Sequence, residues 1–286
     1  MKTKGLLGVP IITLAFLSIL LLARARPAQA DPDAVDVMRR GGENSPHLFT
    51  PKGGAKSTNN NLIDHGGPVL PTSHVYAIYW GPVSPDISDA MYSFFTGFGG
   101  SSYANILTQY MRGVAPAPPA TTYFTFASDP SAPPTHAPSV QTIVKEVCAA
   151  LGGSAPDPEG VYFVITSNFP RGASYCAWHS FGNCSGHQVA VAYLPDLNGV
   201  GGCDIPSLDT NPFNTDGQSM VNVAAHELSE SISDQLISAW YDSSGQEVGD
   251  KCAWQFGSPV TLSNGIPWQI QEEWSNSNSG CVQSIP

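Results

Sequence analysis

A single α+β domain, with a mixed central sheet packed on helices, is the fold class this sequence predicts, and three observations carry the prediction. Short runs of β-branched and aromatic residues alternate with longer segments of helical period. Charged residues make up only 12% of a chain that holds 25 Pro and 28 Gly, so turns and ordered loops are many and a helical bundle is excluded. Cys148, Cys176, Cys184, Cys203, Cys252 and Cys281 form an even set without a Cys-x-x-Cys pair, which favours three disulfides of open connectivity over a thiolate metal site.

Taken in order, residues 1–30 read as a secretory signal. Lys2 and Lys4 charge the start, Leu6 to Ala23 is apolar, and Ala28-Gln29-Ala30 supplies the small-x-small cleavage pattern. Pro10 and that cleavage site argue against a retained membrane anchor. Cleavage leaves about 256 residues, compatible with one domain and a sizeable core. Residues 31–64, with Arg39-Arg40-Gly41-Gly42 and Ser57-Thr58-Asn59-Asn60-Asn61, lack apolar periodicity and read as a flexible, propeptide-like extension. The domain proper is expected over 65–286. Strands are expected near 74–81, 121–127, 160–166 and 187–194, the third apolar enough to be buried on both faces. Helices are expected near 86–111, 139–151 and 216–234. Val260-Thr261-Leu262 and Trp268 to Glu272 read as a C-terminal hairpin turning at Asn264-Gly265, stapled by Cys281.

The full chain carries a formal charge of −11. Loss of Lys2, Lys4, Arg24 and Arg26 with the signal makes the remainder more acidic still, so nucleic acid and anionic membrane surfaces are not expected partners. A peptide, a protein or a cell-wall glycan is the partner class left open, and after signal cleavage no apolar run remains that could span a bilayer.

Candidate chemistry centres on the third helix. Thr215 and Gln218 read as a capping box, and Val221, Ala224, Leu228 and Ile232 form an apolar stripe. At about 100° per residue, His226 lies roughly 140° from Val221 and roughly 160° from Leu228, so it is expected to face a cleft or solvent with Glu230 one turn on. His226 and Glu230 can share a divalent cation as the two histidines of the zincin His-Glu-x-x-His helix do, which leaves Glu227 where those enzymes keep a general base, and the order strand, loop, ligand-bearing helix makes a zincin-like variant of the fold the alternative expectation. The blander reading is a solvated helix face. Downstream, Asp242-Ser243-Ser244-Gly245 reads as a turn fixing a two-stranded return that brings Glu247 and Asp250 back as further metal ligands. His179, Asp234 and Asp242 are secondary candidates. Zinc suits a set with imidazole nitrogen; calcium would use Asp242, Ser244, Glu247, Asp250 and carbonyls instead. Trp240, Trp254, Trp268 and Trp274 could form a sugar-stacking platform or could equally be core residues.

His65-Gly66-Gly67-Pro68-Val69-Leu70, Ile78-Tyr79-Trp80-Gly81 and Cys176-Ala177-Trp178-His179, in that order, resemble the phosphate-induced protein 1 family, to which the plant EXORDIUM proteins belong. Ala225-His226-Glu227-Leu228 and Ala239-Trp240-Tyr241 follow the same pattern, over about residues 65–281. Ser233-Asp234-Gln235 stands where plant members tend to have an Asn-Pro pair, which makes the chain resemble a microbial-type relative. The resemblance implies an exported protein of the extracellular space or cell wall. Two functions are expected to compete: a zinc-dependent peptidase-like hydrolase with Glu227 as base, and a non-enzymatic binding or signalling protein with structural calcium. The absence of Gly-x-Ser-x-Gly disfavours a serine hydrolase.

Overall fold

Strands β3 (Thr72–Trp80), β4 (Ala120–Asp129), β5 (Gly160–Thr166) and β7 (His187–Pro195) run parallel, each rich in the β-branched and aromatic residues that pack well on a pleated surface. Antiparallel β6 (Ala177–Cys184) and β1 (His47–Phe49) extend the sheet beyond β7, giving the order β1-β6-β7-β5-β3-β4. The mixed sheet expected from sequence is therefore present, with one strand more at each step beyond β7 than the apolar runs announce. The computed structural model describes residues 43, 45–53, 60–114, 119–205 and 208–286; the expected signal segment 1–30 lies outside them.

Helices cover both faces. Helix α1 (Pro85–Phe98) and helix α3 (Thr215–Ser233) share a core with Val161, Phe163 and Ile165 of β5, while α2 (Val140–Leu151) packs with Tyr162 and Val164 on the other side. That alternation along a strand buried at every position is what a two-period side-chain repeat requires. Ser84 caps α1 by accepting from the Ile87 amide, and Ser139 caps α2 by accepting from Thr142.

Three expectations need correction. The helix expected over 86–111 ends at Phe98, because Gly99 lies where a Cβ would come 2.6 Å from the Thr121 amide and Gly100 takes a φ of +73°. A separate 3₁₀ turn, Ala104–Tyr110, completes the stretch. Helix α3 is capped not by Thr215 but by Asn214, whose side chain accepts from the amides of Asp216 and Gly217, while Gln218 bonds Phe213 and Leu208. Asp86 of α1 adds a second acceptor to the same helix start, on Asn214 and Gly217. Finally, the stretch 31–64 contributes β1 to the sheet and β2 (Ile63–Asp64) to a pair with β8 (Trp240–Tyr241), so the ordered body reaches back at least to His47. Residues 47–49 give too short a run for periodicity to reveal a strand.

The disulfides are Cys148–Cys184, Cys176–Cys203 and Cys252–Cys281, joining α2 to β6, the start of β6 to the loop after β7, and the segment after β8 to the C-terminal hairpin. The Asn264-Gly265 turn is present, with Gly265 at φ +83°, between β9 (Val260–Thr261) and β10 (Pro267–Trp268). A second pair, β11 (Glu273–Ser275) and β12 (Gly280–Val282), carries Cys281. No helix of the described residues is long and apolar enough to cross a membrane.

A buried histidine and carboxylate centre

Helix α3 is buried on every side. Gly217 to Ser233 are all inaccessible, including His226, Glu227 and Glu230 at 0% exposure. The expectation that His226 and Glu230 open onto a cleft or solvent is thus overturned, and so is the solvated face. The apolar stripe packs on the core as expected; the polar side is covered by β6, β1, the 247–252 segment and residues 271–273.

That cover brings in further chemistry. His47 and His179 face each other across the β1–β6 ladder with rings 5.2 Å apart. His179 Nδ1 lies 3.1 Å from Glu227 and 3.3 Å from Glu230, and its Nε2 lies 3.7 Å from Glu247. His47 Nε2 is 2.6 Å from Asp250 and 4.0 Å from Glu230, with Nδ1 3.5 Å from Glu247. His226 Nε2 is 3.2 Å from Glu230 and 3.8 Å from Asp250. The expected approach of Asp250 to His226 is therefore met, and Glu247 reaches the other two imidazoles. Two groups that could hold a metal ion emerge, His47 with Glu230 and Asp250, and His179 with Glu227 and Glu230, each with its donor atoms within 4.8 Å of one another.

Packing holds these groups in place. Phe49 stacks on the His226 ring at 3.8 Å, and Gln271 contacts His226 Nδ1 at 3.1 Å while donating to the Gly249 carbonyl. Gly249 has an ordinary backbone conformation, but a Cβ there would lie 2.6 Å from His226 Nδ1 and 3.1 Å from Glu230. Its glycine is a matter of space. The Asp250 amide donates to Glu230 and the Glu247 amide to Asp250, so the loop is threaded onto the helix carboxylate. The Cys252–Cys281 bridge anchors the same loop from behind.

Burial penalises every charge here, and neighbours decide the outcome. It works against an imidazolium at His179, yet Glu247, Glu227 and Glu230 hold its pKa up at about 10; at His226 the same opposition, with Glu230 foremost, leaves about 9. His47 is likewise raised, by Asp250 and Glu247 against burial. Burial pushes Glu227 and Glu247 upward, whereas Glu230, ringed by His226, His179 and His47, is held well below the carboxylate range despite its burial. Even so, His179 Nε2, His226 Nε2, Glu227 Oε1, Glu230 Oε2 and both Glu247 oxygens have no hydrogen-bond partner.

The remaining candidates serve elsewhere. Asp234 accepts from the Ser238 and Ala239 amides and turns the chain after α3. Asp242 accepts from Ser244 and Gln246 in its turn and pairs with buried Lys251 at 3.1 Å, outside both ligand sets. The turn at Gly245 is present, but β8 pairs with β2 and not with a returning strand. Trp268 and Trp274 are core residues, Trp240 packs on Tyr110 and Trp254 on Phe49, so the four build no common platform. His47 and Gln271 were not foreseen; the one signal was a lone His beside Phe49 in a segment without period.

Over 146 residues the chain is 31% identical to Protein EXORDIUM-like 5 of Arabidopsis thaliana. That alignment covers 40% of this chain and 40% of the relative, so the likeness reaches well under half the length of either. No protein-family profile matches the chain, and no solved structure does.

Proposed function

We propose that this chain is an exported EXORDIUM-like protein whose domain is built around a buried divalent-metal centre formed by His47, His179, His226, Glu227, Glu230, Glu247 and Asp250. The observation that carries the reading is the set of wholly buried, unpartnered nitrogen and oxygen atoms aimed at one another between α3, β1 and β6. Leaving such groups without partners costs about 1–3 kcal/mol each, and a cation that accepts several lone pairs removes the cost together. Imidazole nitrogen mixed with carboxylate favours zinc, or a similar transition ion, over calcium. Export is supported by the likeness to an EXORDIUM-like protein, by three disulfides, and by the signal pattern of residues 1–30. A peptide, protein or cell-wall glycan remains the expected class of partner.

A closed, all-protein ligand set is the pattern of a structural metal, because a catalyst keeps one position for water or substrate. One observation favours the hydrolytic reading as well: Glu227 keeps Oε1 without a partner beside His179, and burial raises its pKa above the ordinary carboxylate value. Metal analysis of the secreted protein after dialysis tests the centre, with bound zinc expected and a metal-free, equally stable protein overturning it. Glu227→Gln separates the two roles: peptide hydrolysis lost while the ion held by His47, Glu230 and Asp250 is kept supports the catalyst, and hydrolysis in neither protein leaves the structural centre.

A further inference from the structure

The cluster contains more ligands than one tetrahedral ion uses, and their arrangement is not that of a single shell. We propose that it holds two cations bridged by Glu230, an inference that rests on the metal-centre reading above.

The two oxygens of Glu230 look in different directions. Oε1 faces His226 at 3.2 Å, on the side where Asp250 stands 3.8 Å from the same nitrogen. Oε2 faces His179 Nδ1 at 3.3 Å, on the side of Glu227, has no hydrogen-bond partner, and is also the oxygen nearest His47 Nε2, at 4.0 Å. A carboxylate so placed, common to both ligand sets, is suited to join two ions and not to chelate one. The first ion takes His47 Nε2, Asp250 and Glu230, and we add to it His226 Nε2, which stands outside that group but lies 3.2 Å from Glu230 and 3.8 Å from Asp250. The second takes His179 Nδ1, Glu227 and Glu230.

Glu247 belongs to neither set. Its Oε1 lies 3.5 Å from His47 Nδ1 and its Oε2 3.7 Å from His179 Nε2, the ring nitrogens left over when Nε2 of His47 and Nδ1 of His179 bind metal. One carboxylate thus stands opposite the remaining ring nitrogen of both imidazoles without a hydrogen bond to either, at the place from which metal-bound histidines are oriented. Glu247 is a positioning residue here, not a ligand.

Charge gives the same count. Among the described residues no lysine or arginine pairs with Glu227, Glu230, Glu247 or Asp250. With neutral imidazoles and every acid ionised these four carry four negative charges in a site whose acids meet water only at Asp250. One divalent cation leaves half of that charge uncompensated, and two cancel it. The sets also differ in hardness: two nitrogens and two carboxylates suit zinc, whereas one nitrogen among carboxylates tolerates manganese.

The test is a titration of the chelator-stripped, full-length exported chain with Zn²⁺, followed by metal analysis after dialysis. Two equivalents are expected in the parent, with the first bound more tightly, and one in Glu227→Gln, an isosteric change that leaves the first set whole. Glu230→Gln should lose both. Electron paramagnetic resonance of the Mn²⁺-loaded parent should show an exchange-coupled pair at two equivalents and an isolated six-line ion in Glu227→Gln. One equivalent in parent and Glu227→Gln alike, with no coupled signal, overturns the bridged pair and leaves the metal centre standing. No bound ion in any form overturns the metal centre itself.

Discussion

Lys251 and Glu230 are both charged and both fully buried, yet the two neighbourhoods settle their charges differently. Lys251 has a permanent counter-charge in Asp242 at 3.1 Å and the face of Trp274 at 4.2 Å, and Asp242 is further held by the donors of its own turn. Around Glu230 the only positive charge available from the described residues comes from protonated histidines, and several buried atoms stay without partners. A pair that is complete in itself stabilises one geometry and asks nothing of the solvent. A set that is complete only with protons or metal ties the fold to what the solution contains.

The largest expected effect is on the open side of that comparison. Stripping the metal should lower stability by about 4 kcal/mol for an ion present at a thousand times its Kd, read as a fall in the denaturation midpoint restored by Zn²⁺. Glu230→Gln should be indifferent to chelator and to Zn²⁺ alike. Next, Asp242→Leu should cost about 3 kcal/mol with or without metal, because it removes the buried carboxylate that pairs with Lys251, and adding Lys251→Met should recover most of that loss. A chelator-dependent cost for Asp242→Leu would merge the two regions into one.

Gly249→Ala should cost about 2 kcal/mol by overpacking against His226, and should weaken metal binding more than it lowers the stability of the stripped protein. Equal effects on both would remove Gly249 from the centre. The smallest effect concerns Glu273, whose burial lifts its carboxyl from 4.5 to about 8 while Tyr103 donates to it. A native pKa above the unfolded one means the folded state binds the proton more tightly. The contribution is full below about 4.5 and is lost as pH rises through about 8. Glu273→Gln should flatten that part of the stability profile, measured by denaturant titration across the interval.

The scaffold was legible because its strands are long apolar runs and its helices keep a 3.6-residue period; the boundaries of β5 and α2 follow from those patterns nearly residue for residue. The centre was legible only where ligands share an element. His226, Glu227 and Glu230 lie on one helix, and Glu247 and Asp250 on one loop. His179 was visible only as a residue type, since its place opposite α3 is set by the β6–β7 hairpin, whose turn at Ser185 and Gly186 with positive φ at both fixes the register. His47 depends on an edge strand of three residues with no period to read. The inward view of the polar helix face could not be had from amphipathicity, which predicts water wherever it finds charge and has no knowledge of what folds over it.

The edge strand also sets when the centre can exist. His47 and Asp250 are 203 residues apart in the chain, so a nascent portion made from the N-terminus can assemble the group of His179, Glu227 and Glu230 but not that of His47, Glu230 and Asp250, which waits for the C-terminal loop to be synthesised and to dock on β1. On the metal-centre reading, a chain that crosses a membrane unfolded would cross with the His47, Glu230 and Asp250 group still unassembled. An ion of that group would then be drawn from the supply where folding finishes.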